Sequence, residues 1–200
     1  MIKRRIFFVV IASLLLILTA CGDKLPIETN MSEEVADFSF TNQYNESFSL
    51  DDLEGTWWIA DFVFTNCTTV CLPMTSNMAK LQTRIAEENF PVHLVSFSVD
   101  PDYDTPEVLE VYGNEYGSDF ETWTFLTGYD FNTIKELSIK SFRALLKEPK
   151  KSSDEVMHDT RFFLVDPEGN IVKGYDGVKA DSLDEIMEDL ASLNKKNILQ

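Results

Sequence analysis

The sequence predicts a single α/β domain in which strands and helices pack as layers, and three observations support this. Apolar runs of strand character at residues 57–64, 92–99 and 162–165 alternate with stretches whose apolar residues recur at helical spacing. Hydrophobic residues make up 44% of the 200-residue chain and aromatic residues 12%, which suits one well-cored domain of ordinary size. There is no internal repeat and no sign of a second domain.

Before the domain, Lys3, Arg4 and Arg5 precede an apolar run from Ile6 to Leu18 that is short for a membrane span. It ends in Leu18-Thr19-Ala20-Cys21-Gly22, a small-residue cleavage site directly followed by cysteine. This resembles the lipobox of bacterial lipoproteins. The resemblance implies a signal peptide over residues 1–20, cleavage before Cys21, and diacylation of its sulfur. An uncleaved anchor is the alternative, and either reading places the domain on the extracytoplasmic face of the cell membrane, tethered to the bilayer. Residues 21–34 are polar with little periodicity and read as a flexible tether. The folded domain is expected over 35–195, with 196–200 as a tail.

The formal net charge is −17, and loss of residues 1–20 removes three cations and no acid, leaving −20. Such a surface repels nucleic acid and anionic headgroups, so no nucleic-acid partner is expected. The chain has three cysteines. With Cys21 taken by lipid, Cys67 and Cys71 are the only thiols of the folded domain. Outside the cytoplasm they are open to oxidation and need a reductant or a metal to stay thiolates.

Within the domain, Phe38–Thr41 and Ser47–Leu50 read as a β-hairpin ahead of the main sheet, and Trp57–Phe64 as a buried strand. Met74, Met78, Leu81 and Ile85 give a helix ending near Asn89–Pro91. Val92–Val99 is the next strand, and Thr105 followed by Pro106 is an N-cap and first helical residue. Trp123–Leu126 is a short strand, and a helix runs from Asp130 to about Phe142. Lys147–Asp154 reads as an exposed polar loop. Arg161–Val165 and Ile171–Tyr175 form a closing hairpin, and Ser182 with Glu185 is read as a capping box for the last helix. This element order is that of a thioredoxin-like α/β sandwich with an N-terminal β-hairpin and an inserted strand/helix region.

The stretch carrying chemistry is Thr65-Asn66-Cys67-Thr68-Thr69-Val70-Cys71-Leu72-Pro73-Met74. It lies at a strand-to-helix turn, where helix N-terminal amides favour thiolate over thiol. The spacing allows a structural disulfide, a redox-active pair or two metal ligands. Met74 and Met78 are soft donors nearby but sit at core-facing helical positions. His93 is read as a strand residue rather than a ligand. Thioredoxin-like oxidoreductases normally carry a cis-proline before the closing hairpin; here the segment is His158-Asp159-Thr160-Arg161, without proline. In that fold His158 faces the cysteine loop, and two sulfurs with one imidazole favour copper or zinc over calcium or magnesium.

Three separated stretches then agree in order and spacing. Phe64-Thr65-Asn66-Cys67-Thr68-Thr69-Val70-Cys71 with Pro73-Met74, Ser96-Phe97-Ser98-Val99-Asp100-Pro101 with Asp104 and Pro106, and His158 before the Phe162 strand resemble the Sco (SenC/PrrC-type) family of copper proteins. Leu72 departs from the family, many of whose members have proline at that position; Pro73 follows. The resemblance implies one copper ion, Cu(I) or Cu(II), held by Cys67, Cys71 and His158, with the two cysteines able to form a redox disulfide. Asp100 matches a family aspartate near the site and is carried over as an outer or partner contact. The implied role is a metallochaperone, not an enzyme, that assists assembly of the CuA centre of cytochrome c oxidase subunit II. The alternatives are a thiol:disulfide oxidoreductase, a redox or copper sensor, and, less well supported, a peroxidase.

Overall fold

A computed structural model describes residues 24–66, 71–148 and 156–199, with Cys71 described through its backbone alone. The expected signal peptide, Cys21 and Cys67 lie outside the described residues. In chain order the elements are β1 (Glu33–Glu34), β2 (Ser39–Asn42), β3 (Ser47–Ser49), β4 (Trp57–Val63), α1 (Cys71–Glu87), β5 (Val92–Ser98), α2 (Pro106–Glu115), β6 (Trp123–Thr127) and α3 (Phe131–Lys140). There follow β7 (Leu146–Lys147), β8 (Met157–His158), β9 (Arg161–Val165), β10 (Asn170–Asp176) and α4 (Asp181–Lys195).

Among the described residues, eight strands form one sheet in the order β1-β10-β9-β4-β5-β6-β2-β3. The centre is parallel, β4 beside β5 and β5 beside β6, while β9 runs antiparallel to β4. Central strands buried on both faces need apolar side chains on both, and all seven residues of β4 are buried. Their alternation divides the interior. Trp57 and Ile59 join Met74, Met78, Leu81 and Ile85 of α1, Leu109 and Tyr112 of α2, and Leu183, Ile186 and Leu190 of α4 on one face. Trp58, Ala60 and Phe62 join Phe38, Ile134, Leu137 and Phe142 on the other. Each fully buried large apolar side chain contributes about 1.5–3 kcal/mol, so these two layers hold the sheet.

The caps follow local chemistry. Thr105 accepts a hydrogen bond from Val108 N and Asp130 from Thr133 N, ahead of α2 and α3. The expected capping box at Ser182 does not start α4. The turn at 179–183 is already helical, with Ser182 N bonded to Lys179 O and Leu183 N to Ala180 O, so the helix begins before the serine.

The N-terminal hairpin is part of the main sheet, because β2 pairs with β6. The tether is also shorter than expected. Ile27 is buried, Asn30 exchanges hydrogen bonds with the backbone of Gly174, and β1 pairs with β10. Residues 24–34 are polar and aperiodic in sequence, yet one buried isoleucine and an edge strand anchor them. The tail likewise packs: Ile198 O accepts the indole N–H of Trp57 at 2.9 Å and Leu199 is buried. Among the described residues no helix is long and apolar enough to cross a membrane.

Candidate functional site

The carboxyl ends of β4 and β5 meet where Val63 pairs with Ser98 and Val99 N bonds Val63 O at 2.8 Å. From there the chain passes through Phe64, Thr65 and Asn66 towards the cysteine motif, and α1 opens at Cys71. α1 is 17 residues long, and the positive end of its dipole falls at its first turn.

Asp104 holds the entry to the motif. Its buried carboxylate accepts Thr65 Oγ1–H at 2.5 Å, Thr65 N–H at 3.3 Å and Ser98 Oγ–H at 2.6 Å. Burial pushes its carboxyl up, and the hydrogen bonds from Ser98 and Thr65 restrain that rise. Asp100 sits one turn before it, half-buried: its N–H donates to Ser98 Oγ at 3.1 Å and its carbonyl accepts from Asp104 N at 2.9 Å.

His158 arrives on β8, which pairs with β7 through Leu146, so the expected loop is partly a two-stranded ladder. Its ring is buried and meets the Phe64 ring edge-on, with centroids 5.7 Å apart. Nδ1 lies 2.7 Å from the carbonyl oxygen of Asp159, and a carbonyl only accepts. Nδ1 is therefore protonated, so in the singly protonated ring the lone pair is on Nε2. The Asp159 carboxylate receives Arg161 Nε and NH2 at 2.9 and 2.8 Å, fixing the turn after the histidine.

α1 and the histidine segment are tied through a third piece of chain. Asn77 Nδ2 donates to Gly177 O at 2.9 Å and Val178 O at 3.1 Å, and Gly177 N donates to Thr160 O at 2.8 Å.

On the α1 face of the sheet lies Asp61. It is fully buried, accepts Ser96 Oγ–H at 2.6 Å on Oδ1, and among the described residues has no hydrogen-bond partner on Oδ2. Ser96 Oγ in turn accepts the indole N–H of Trp123 at 2.9 Å. Burial pushes the Asp61 carboxyl up to about 7, against the Ser96 hydrogen bond and the electrostatic pull of His158. Sequence reasoning does not single out Asp61. The available signal is a lone acid within the apolar run Trp57–Phe64.

Comparison with known proteins bears on this arrangement directly. The family model for SCO1/SenC matches residues 27–195. The chain belongs to the SCO1/SenC family. A SCO1 protein homolog of Bacillus subtilis is 43% identical over 177 residues, covering 88% of this chain and 91% of that one. BsSco, a member of the Sco family of cytochrome c oxidase assembly proteins in which a disulfide switch was identified, superposes with a TM-score of 0.76 at 42% identity. That match covers 84% of this chain and 98% of that one. ScoI of Arabidopsis thaliana, solved with copper bound, gives 0.67 at 27% identity over 80% and 98% of the two chains. The thioredoxin-like fold expected from the element order is the fold of these Sco structures.

In this Sco-family chain the side residues raised from sequence separate clearly. Met74 and Met78 are fully buried in the α1 layer among apolar neighbours. His93 lies towards the opposite end of β5, where Nε2 is 2.9 Å from Thr124 Oγ1 and the ring stacks on Phe48. Burial lowers its pKa to about 4. Among the described residues no group of three His, Cys, Asp or Glu side chains is arranged to hold a metal.

Proposed function

We propose that this Sco protein is a membrane-tethered copper metallochaperone that assists assembly of the CuA centre on subunit II of cytochrome c oxidase. It carries one copper ion as cargo through Cys67, Cys71 and His158, and a diacylated Cys21 holds it to the bilayer. The observation that carries this reading is the setting of His158. Its Nδ1–H is fixed by the Asp159 carbonyl, leaving Nε2 as the ligand nitrogen, and its ring packs on Phe64 three residues before Cys67.

Two thiolates and an imidazole bind copper in the reduced protein, and a disulfide between the thiols removes two of the three ligands and releases it. Metal loading is thus coupled to thiol redox state, as a delivery protein requires. Asp100, half-buried at the same sheet edge, is assigned an outer or partner-facing contact.

The test is a copper titration of the full chain in detergent, fully reduced, with thiolate-to-copper absorption as the readout. One tightly bound copper per chain, lost on oxidation, is expected, and His158→Ala should weaken binding by at least about tenfold while the disulfide still forms. Cys21→Ser should release the protein from membranes without altering copper binding. Failure of the reduced protein to bind either Cu(I) or Cu(II), with ready reduction of a model disulfide, would replace this reading with that of an oxidoreductase.

A further inference from the structure

Residues 30–34 belong to the stretch that reads in sequence as a flexible tether, yet their side chains reach the part of the molecule that carries His158. A free linker has no reason to bury a charge. Glu33 does so: its side chain is only 10% exposed, and Oε1 pairs with Arg143, whose own side chain is mostly in solvent. Oε2 accepts the Ser32 N–H at 3.2 Å.

Several contacts lead from this segment to the histidine. β1 pairs Glu33 with Ile171 of β10, and Asn30 bonds the backbone of Gly174, so the segment lies along the β10 edge. A Cβ placed on Gly174 would lie 3.2 Å from Met31 Sδ and 3.4 Å from Arg161 Cδ, so the segment and Arg161 meet over that glycine. The Arg161 guanidinium sits over the Phe163 ring at 4.9 Å. Its Nε and NH2 hold both oxygens of the Asp159 carboxylate, and NH2 also donates to Arg143 O at 3.1 Å. The Asp159 hydrogen bonds raise the Arg161 pKa against burial, and the charges of Asp159 and Glu33 add to that rise. Two residues beyond β1, Ala36 N–H donates to Ser141 Oγ at 2.9 Å.

The two arginines flank the ladder that presents the histidine. Arg143 comes three residues before Leu146, the β7 partner of His158, and Arg161 comes three residues after His158 itself. Asp159 lies between, and its carbonyl receives the Nδ1–H of the ring. Glu33 and Asp159 together balance the two guanidinium charges. Without Glu33, one carboxylate would face two arginines, and the Arg161–Asp159 pair would lose its exclusive geometry.

We propose that Glu33 is a positioning residue for His158: it neutralises Arg143 beside Arg161, and so keeps the Arg161–Asp159 clamp and the turn whose carbonyl orients the imidazole. Residues 30–34 are then a strap across the β7–β8 ladder, and the path by which the chain enters the domain sets the ring. The strap itself does not depend on copper. Only its value as support for a copper ligand rests on the metallochaperone reading.

The test uses the full chain in detergent, reduced and metal-free. One readout is hydrogen exchange of the Arg161 amide, which donates to Asp159 Oδ1 at 2.9 Å. The other is the tautomer of the His158 ring, read from its nitrogen chemical shifts at a single fixed pH. Glu33→Gln keeps the shape and the β1 pairing but removes the charge. Exchange at Arg161 should accelerate by at least about threefold, and the ring should pass from the Nδ1–H form to a mixture of tautomers. Glu33→Asp retains the charge and should move both readouts back towards wild type. Glu33→Gln combined with Arg143→Gln removes both charges and should restore the wild-type tautomer. Wild-type exchange and tautomer in Glu33→Gln overturn the proposal, and so does a double variant that behaves like Glu33→Gln alone. Copper binding enters neither readout, so the metallochaperone reading stands or falls separately.

Discussion

Asp104 holds Thr65 at two points, its hydroxyl at 2.5 Å and its amide at 3.3 Å, across a sequence separation of 39 residues. The strand-to-helix turn that introduces the cysteine motif is therefore fixed from the loop after β5. Its path is not left to local preference.

Replacing Asp104 by Asn substitutes an N–H donor for one acceptor oxygen among the Thr65 and Ser98 donors. About 1–3 kcal/mol of stability should be lost, the usual cost of a buried polar mismatch. Urea unfolding measures this loss, and hydrogen exchange of the Thr65 amide should accelerate in the same variant. An unchanged exchange rate would show that the turn is held by something else.

Gly177 sits where chain segments meet, and a Cβ there would lie 2.6 Å from the carbonyl oxygen of Thr160 and 2.9 Å from the Phe162 ring. One of these atoms is backbone and cannot swing aside. Gly177→Ala should therefore destabilise the fold by about 1–3 kcal/mol. It should also weaken copper binding, because Thr160 is two residues from His158 and Gly177 links it to Asn77 of α1. Denaturation midpoints and a copper competition assay read the two effects; a variant with wild-type values in both would mean that this junction adapts freely.

Asp61 and His93 act on stability in opposite directions over much the same pH range. The folded-state value of Asp61 is raised from 3.8 to about 7, so between these values the native protein binds more protons than the unfolded chain, and stability from this group falls as pH rises. His93 is lowered from 6.5 to about 4, so its contribution is complete above 6.5 and is lost as pH falls towards 4. Asp61→Asn removes only the first effect. Relative to wild type it should gain stability steadily from pH 4 to 7, as measured by urea unfolding at half-unit steps. A difference that does not change with pH would mean that Asp61 is ionised throughout that range.

The strands and helices are legible in the sequence because their periodicities are strong. β4, β5, β9 and the helices beginning at Cys71 and Pro106 fall within a residue or two of expectation, since apolar runs and the Thr105-Pro106 cap are local signals. The capping box at Ser182 and the tether over 21–34 depart from expectation for the opposite reason. A preceding helical turn and a partner strand on β10 decide those positions, and neither is encoded nearby.

The order of elements, the dithiol motif and the family were determined by the sequence alone, because short-range spacing records helix, strand and ligand types. Tertiary structure decided which tautomer His158 adopts, which carboxylate holds Thr65, and that Asp61 lies buried with an oxygen unpaired among the described residues. Each of these depends on groups far apart in the chain meeting where water is excluded. There the cost of an unpaired charge is large, and a single missing hydrogen bond changes what a residue does.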